Sequence, residues 1–272
     1  MFGNEGSDII ISQSGSDYID SGEGNDSVFF VSDQQFGSDV FAVNMSSRSQ
    51  LGTLEIISLE GFSRYANILE GGDGWDTLTL SEQNDAIFLD DSVSEYDPYT
   101  YLDFEGDRSR KFGDIEEVSL GDGNDLFDFT SSEHQLAEKS MIVHGGSGND
   151  VIWASNANDT IYGGSGDDTI FAGAGTNFIN GGGGADVFEF TITSTDTTIE
   201  DFNPLEGDKL KIFSGKDYEV LMEETSIDNG VISFSFMNHQ IESTISLDIW
   251  GFGSDEVNGT LQADQMSWIE YM

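Results

Sequence analysis

The sequence predicts an all-β fold, a solenoid of short parallel strands joined by glycine-rich turns, and three observations carry that reading. First, residues 145–189 divide into five consecutive nine-residue blocks: GGSGNDVIW, ASNANDTIY, GGSGDDTIF, AGAGTNFIN and GGGGADVFE. Second, an acidic or amide residue holds the sixth place of each block, as Asp150, Asp159, Asp168, Asn177 and Asp186. Third, a large apolar residue follows two positions later, as Ile152, Ile161, Ile170, Ile179 and Phe188. A glycine turn followed by a three-residue strand with its middle side chain inward satisfies all three.

If each block makes half a coil, blocks two apart stack at the strand spacing of roughly 4.8 Å. Asp150, Asp168 and Asp186 then share one edge of the solenoid, and Asp159 and Asn177 the other. Ile152, Ile170 and Phe188 face inward from one sheet to meet Ile161 and Ile179 from the opposite one.

The same grammar opens the chain in weaker form. GNEGSDIII, SQSGSDYID and SGEGNDSVF place Asp8, Asp17 and Asp26 nine apart, and FGSDVFA around Asp39 looks like a displaced fourth copy. Residues 44–70 interrupt the rhythm, with LEIISL (54–59) reading as a buried strand. GGDGWDTLT and LSEQNDAIF restore it through Asp76 and Asp85. A second excursion, 89–119, precedes LGDGNDLFD with Asp125. Both excursions read as longer loops on one continuous stack; an inserted domain is the competing reading. A short helix is expected within 130–144, where Ser131 or Ser132 could cap SSEHQLAEK. Beyond 190 the repeats stop. TTIEDF, KLKIF, DYEVLM, VISFSF and STISLDIW alternate as half-buried strands do, with Asp228, Asn229 and Gly230 as hairpin turn chemistry. The expected division is 1–190 for the coil and 191–272 for a β-rich cap. The tail TLQADQMSWIEYM fits a helix or a last strand.

Composition narrows the chemistry. With 52 Asp+Glu against 9 Lys+Arg, the net charge of -43 opposes compaction unless cations neutralise it. Nucleic acid and anionic membranes are excluded as partners, because binding them needs basic side chains. No apolar run reaches membrane-spanning length. No N-terminal signal peptide is evident, and MFGNEGSDII already lies inside a repeat, which points to a fragment of a longer chain. Without cysteine there is no thiolate site, so a bound metal must be a hard cation held by oxygen, such as calcium.

Calcium takes about 6–8 oxygens, carbonyl or carboxylate, in tolerant geometry. Glycines let a turn aim its carbonyls inward, and the sixth-place Asp adds a carboxylate. One turn supplies about half of that shell, so two stacked turns must share an ion. The candidate ligands are Gly145, Ser147, Asp150, Asp159, Gly163, Ser165, Asp168, Asn177, Gly181, Gly183 and Asp186, joined by Asp8, Asp17, Asp26, Asp76 and Asp125 from the weaker copies. The edge of Asp159 and Asn177 should bind more weakly, since Asn177 is neutral and Ala154, Ser155 and Ala157 replace glycine.

The unit resembles GGxGxDxUx, the nonapeptide of the repeats-in-toxin (RTX) family. That resemblance implies a right-handed parallel β-roll that folds on binding several calcium ions, and type I export to the extracellular side or cell surface. ADVFEF and TTIEDFNPLEGDKLKI are similar to the segment that follows the repeats in serralysin-type proteins. LDIWGF and GTLQADQMSWI are similar to their closing strands, although this chain ends in WIEYM. A calcium-binding, non-enzymatic module of a large surface adhesin is the expected role, with a monomeric module and no membrane insertion. The folding module of an exported hydrolase is the alternative.

Catalytic readings find little purchase. His134, His144 and His239 fall in no zinc-site spacing, and no G-x-S-x-G occurs. Trp153 and Phe171 hold the ninth place of stacked blocks and should face outward side by side. Either another segment packs over them, or they form an aromatic strip for a glycan or peptide.

Overall fold

The computed structural model describes residues 1–13, 17–31, 34–35, 41–43, 56–65, 67–88, 112–129, 140–191, 195–213, 221–228, 231–238, 241–249 and 269–271, with 41–43 and the last four stretches by backbone alone. Among the described residues every regular element is a strand. The expected parallel β-roll is what they form. Val151–Trp153 pairs parallel with Thr169–Phe171, and that strand with Val187–Thr191. On the opposite face Ile142–Ser147, Thr160–Ser165 and Gly175–Gly183 pair in the same way. Ile152 lies against Ile170 and Ile170 against Phe188, an offset of two blocks, so each block does make half a coil.

Two sheets run the length of the molecule, one of eleven strands beginning at Ile9–Ser12 and one of nine that includes Asp85–Phe88 and Leu126–Asp128. The sequence does not announce a third. Tyr18–Glu23, Ile68–Asp73 and Phe112–Gly113 form a separate three-stranded sheet, so the chain from 68 to 88 visits three walls in turn. The interior is filled differently in the two regions. Between two walls, Ile152, Ile161, Ile170, Ile179 and Phe188 suffice, each fully buried. Between three walls aromatic rings take over: Phe30 lies 5.5 Å from Tyr65 and 6.2 Å from Phe112, and Phe127 stacks on Phe129 at 4.3 Å. Close packing requires the side chains to fill whatever space the walls enclose, and between three walls aromatic rings do so.

Both excursions rejoin the stack. The first brings Ser63–Arg64 into register with Asp85 and Ala86. It also lays Leu59, fully buried, over the outer side of the nine-stranded sheet, against Ala86, Phe88, Leu126, Trp153 and Phe171. Ile57 and Phe62 pack beside it. Trp153 and Phe171 are therefore covered at 0% and 3% exposure, and the aromatic strip that a glycan or peptide would need is not available. Trp153→Ala empties that outer layer, and the expected loss is about 3–5 kcal/mol. It is read as a lower denaturation midpoint with calcium present, and an unchanged midpoint would show that the cover contributes nothing.

Both sheets continue past residue 190. Thr195–Phe202 adds to the eleven-stranded sheet and Lys209–Phe213 to the other, each parallel to its neighbour. Ile241–Ile249 follows in parallel, and Val231–Asn238 and Leu221–Asp228 close the sheet as an antiparallel meander with Asp228 opposite Val231. The tail resolves as a strand, Ile269–Tyr271, beside Leu210–Ile212. Of the expected strand DYEVLM, residues 217–220 lie outside the described residues, and Leu221 and Met222 belong to Leu221–Asp228. The expected helix falls largely on 130–139, and the copy at Asp39 on 36–40, both outside the described residues.

Candidate metal centre

The turns owe their stacking to glycine. In the block at 163 the second- and fourth-place residues, Gly164 and Gly166, have φ of +115° and +128°, a region closed to other residues. A Cβ on Gly164 would also collide with the Gly146 carbonyl oxygen, and one on Gly166 with that of Gly148. Backbone thus rests directly on backbone from one turn to the next.

That contact aligns the sixth-place residues into a ladder. The Asp150 N–H donates to Asp168 Oδ1 at 2.8 Å, and the Asp168 N–H to Asp186 Oδ1 at 3.0 Å. The row extends beyond the five blocks. Asp85 N–H donates to Asp125 Oδ1 at 2.7 Å, Asp125 N–H to Asp150 Oδ1 at 2.8 Å, and Asp186 N–H to Asp208 Oδ1 at 3.0 Å. A second row, on the edge entering the eleven-stranded sheet, runs from Asp8 through Asp26 to Asp76 at 2.8 and 2.9 Å. The same edge later carries Asp159, whose N–H donates to Asn177 Oδ1 at 2.9 Å. The remaining candidate, Asp17, precedes a strand of the three-stranded sheet, and its N–H donates to Asn67 Oδ1 rather than to another Asp.

The second carboxylate oxygen decides what the ladder can hold. Oδ2 of Asp26, Asp125, Asp150 and Asp168 is buried and meets no protein donor, and so is that of Asp8. Each of those first four residues is about 1% exposed. These oxygens point into the turn rather than away from it. At Gly145 an added Cβ would meet Asp150 Oδ2 at 2.7 Å together with the Gly163 carbonyl oxygen. At Gly163 it would meet Asp168 Oδ2 and the Gly181 carbonyl oxygen, both at 2.5 Å. Gly181 stands against Asp186 Oδ2 in the same way, also at 2.5 Å. The carbonyls of Ser147, Ser165 and Gly183 line the same turns, accepting from Gly123, Gly148 and Gly166 N–H at 2.7, 2.7 and 2.8 Å. An all-oxygen cradle with an unmet anionic atom fits a hard divalent cation. No three His, Cys, Asp or Glu side chains gather as a metal cluster among the described residues, so carbonyl oxygens must make up most of any shell.

Desolvation raises the carboxyls of this row, to about 8 at Asp125 and about 7 at Asp150, Asp168 and Asp186. Neighbouring carboxylates add to the rise at Asp125, Asp168 and Asp186. Burial likewise raises Asp159, to about 6, with hydrogen bonds from Met141 N–H and Ser155 opposing it. The folded coil without a cation therefore disfavours the very charges its sequence supplies.

The chain's relationships agree with this geometry. The RTX calcium-binding nonapeptide repeat model matches four stretches, residues 1–29, 63–87, 142–170 and 154–188. The matched stretches carry the RTX calcium-binding nonapeptide repeat. RTX repeats bind calcium, and the cofactor expected from the oxygen chemistry is the one this family takes. No curated protein matches the chain. Among solved structures, extracellular lipase LipA from Serratia marcescens is 18% identical over 97% of this chain and 37% of its own, with a TM-score of 0.26, too weak a likeness to bear on function. The chain thus spans little more than a third of that lipase's length.

Two features of the RTX turns escape a reading of the sixth place alone. Asp208 continues the row although NPLEGD has lost the glycine pattern; the surviving signal is Leu210, two residues after it. The fifth-place side chains, Asn124, Asn149 and Asp167, build a ladder of their own, running the opposite way. Asn149 N–H donates back to Asn124 Oδ1, Asp167 N–H to Asn149 Oδ1, and Ala185 N–H to Asp167 Oδ1, at 2.8–2.9 Å. Of the histidines, His144 stacks on Tyr162 with Nε2 3.1 Å from Glu117, apart from the turns.

Proposed function

We propose that this chain is the calcium-folded module of a type I secreted, extracellular bacterial protein, a surface adhesin, in which it has a structural rather than catalytic role. The observation that carries the reading is the row of buried aspartate oxygens without donors at Asp125, Asp150 and Asp168. Gly145, Gly163, Gly181, Ser147, Ser165 and Gly183 would offer carbonyl oxygens, and Asp150, Asp168 and Asp186 carboxylates. Asp8, Asp26 and Asp76 would do the same on the other edge. When bound, the ion supplies the positive charge that the 9 Lys+Arg cannot.

The residues then act as a switch on export. Inside a cell, where calcium is scarce, the ionised Asp rows repel and keep the chain open. Outside, sites of about 10⁻⁴–10⁻³ M affinity fill and the rows close into coils. The long interruptions of the repeat at 44–70 and 89–119 support the adhesin reading, since a stack that tolerates them can display them. Calorimetric titration of the chain with calcium should give saturable binding in that range. Absence of binding up to about 10⁻² M, beyond the weakest extracellular modules, would overturn the reading.

A further inference from the structure

Not every sixth-place Asp is left open. Ser155 Oγ donates to Asp159 Oδ2 at 2.9 Å, and Ala157 N–H donates to Ser155 Oγ at 3.0 Å. Ser12 Oγ donates to Asp17 Oδ2 at 2.8 Å, and Asn67 Nδ2 to Ser12 Oγ at 3.2 Å. Ser81 gives both its N–H and its hydroxyl to Asp85 Oδ2, each at 2.8 Å. At the far end of the same row Asn203 N–H donates to Asp208 Oδ2 at 2.7 Å. In each case a protein donor sits on the oxygen that is unmet at Asp125, Asp150 and Asp168.

The backbone sets two of these turns, those of Asp85 and Asp159, apart independently. Open turns carry left-handed glycines at their second and fourth places, as Gly121 and Gly123, Gly146 and Gly148, or Gly164 and Gly166. Residues 154–159 and 80–85 contain no residue with positive φ. Without that conformation a turn does not roll its carbonyls inward, so the carboxylate there lacks the oxygen partners of a calcium shell.

We infer that the turns of Asp17, Asp85, Asp159 and Asp208 are metal-free latches, in which a serine hydroxyl or a backbone N–H replaces the calcium ion that the open turns bind. The inference rests on the calcium reading above and assigns the ions within it. Asp85 and Asp208 seal the two ends of one row, confining ions to the rungs between them. Asp159 and Asn177 form an edge held by hydrogen bonds, where the sequence led us to expect a weaker calcium edge. Asn177 fits this role, since its Nδ2 donates to the Ala174 carbonyl at 3.2 Å.

Counting bound calcium by equilibrium dialysis on the full chain, beside Asp168→Asn and Asp159→Asn, tests the assignment. Asp168→Asn should lose at least one ion, while Asp159→Asn should lose none. If Asp159→Asn loses an ion as Asp168→Asn does, the latch is wrong and the calcium reading stands. If the unaltered chain binds none, the calcium reading itself fails. Should Asp159→Asn not fold, Ser155→Ala serves instead, in saturating calcium. It should keep the ion count and lower Tm by roughly 2–4 °C, the effect of one lost buried hydrogen bond in a chain of this size. A changed ion count or an unmoved Tm would overturn the latch.

Discussion

Chelating calcium unfolds the coils: far-ultraviolet circular dichroism should lose its β signal in excess chelator and regain it when calcium is restored. The expected effect is large because the open rungs act together. Asp125, Asp150, Asp168 and Asp186 are stacked, buried and hydrogen-bonded in series, so ionising one raises the cost of ionising the next. Protons can partly replace the cation, and this fixes the sign of the pH dependence. The folded-state carboxyls sit at about 7 to 8 because burial disfavours their charge, whereas unfolded Asp titrates near 4. Between those values the folded state holds more protons, so in chelator stability falls as pH rises from about 4 to about 8 and levels off above. Acidifying a chelated sample from pH 8 towards pH 5 should therefore recover β structure. A chain equally folded with and without calcium at pH 8 would remove the basis of the switch.

Gly164→Ala should be among the most damaging single substitutions, costing about 3–5 kcal/mol in calcium-saturated protein. Two effects add at that position. The φ of +115° excludes an L side chain, and the new methyl would drive into the Gly146 carbonyl oxygen, which is backbone and cannot swing aside. Gly183→Ala is the matched control. It lies in the next turn of the same edge, has no positive φ, and an added Cβ there meets nothing within 4 Å. Its expected change is within about 0.5 kcal/mol. Chemical denaturation of the two variants with calcium present separates them, and similar losses at both would refute the backbone-stack account.

Much of this was legible in the residues because the repeat is local. A nine-residue period with one inward apolar side chain leaves little choice but half a coil per block, and Asp150, Asp168 and Asp186 fall into one row from spacing alone. What lay hidden was long-range. Asp85 meets Asp125 across 40 residues, and an excursion of variable length erases the register that would predict it. The cover on Trp153 comes from Leu59, nearly a hundred positions away, through packing that no short pattern encodes. The third sheet was equally invisible, since Tyr18–Glu23 and Ile68–Asp73 read locally like any other rung. The latches had a local signal, serine in place of glycine at Ser12, Ser81 and Ser155. That signal was readable as mere decay of the motif until the hydroxyls were seen on the carboxylates.

The two oppositely directed ladders have a consequence for how such a molecule can grow. Each finished turn offers a sixth-place side-chain oxygen to the coil before it and a fifth-place side-chain oxygen to the coil after it, as Asp168 does for Asp150 and Asp167 for Ala185. A turn is therefore addressed from both sides by its immediate neighbours and by nothing further away. Repeats can be inserted, deleted or separated by long detours in the course of evolution, provided that the next turn returns to the same address.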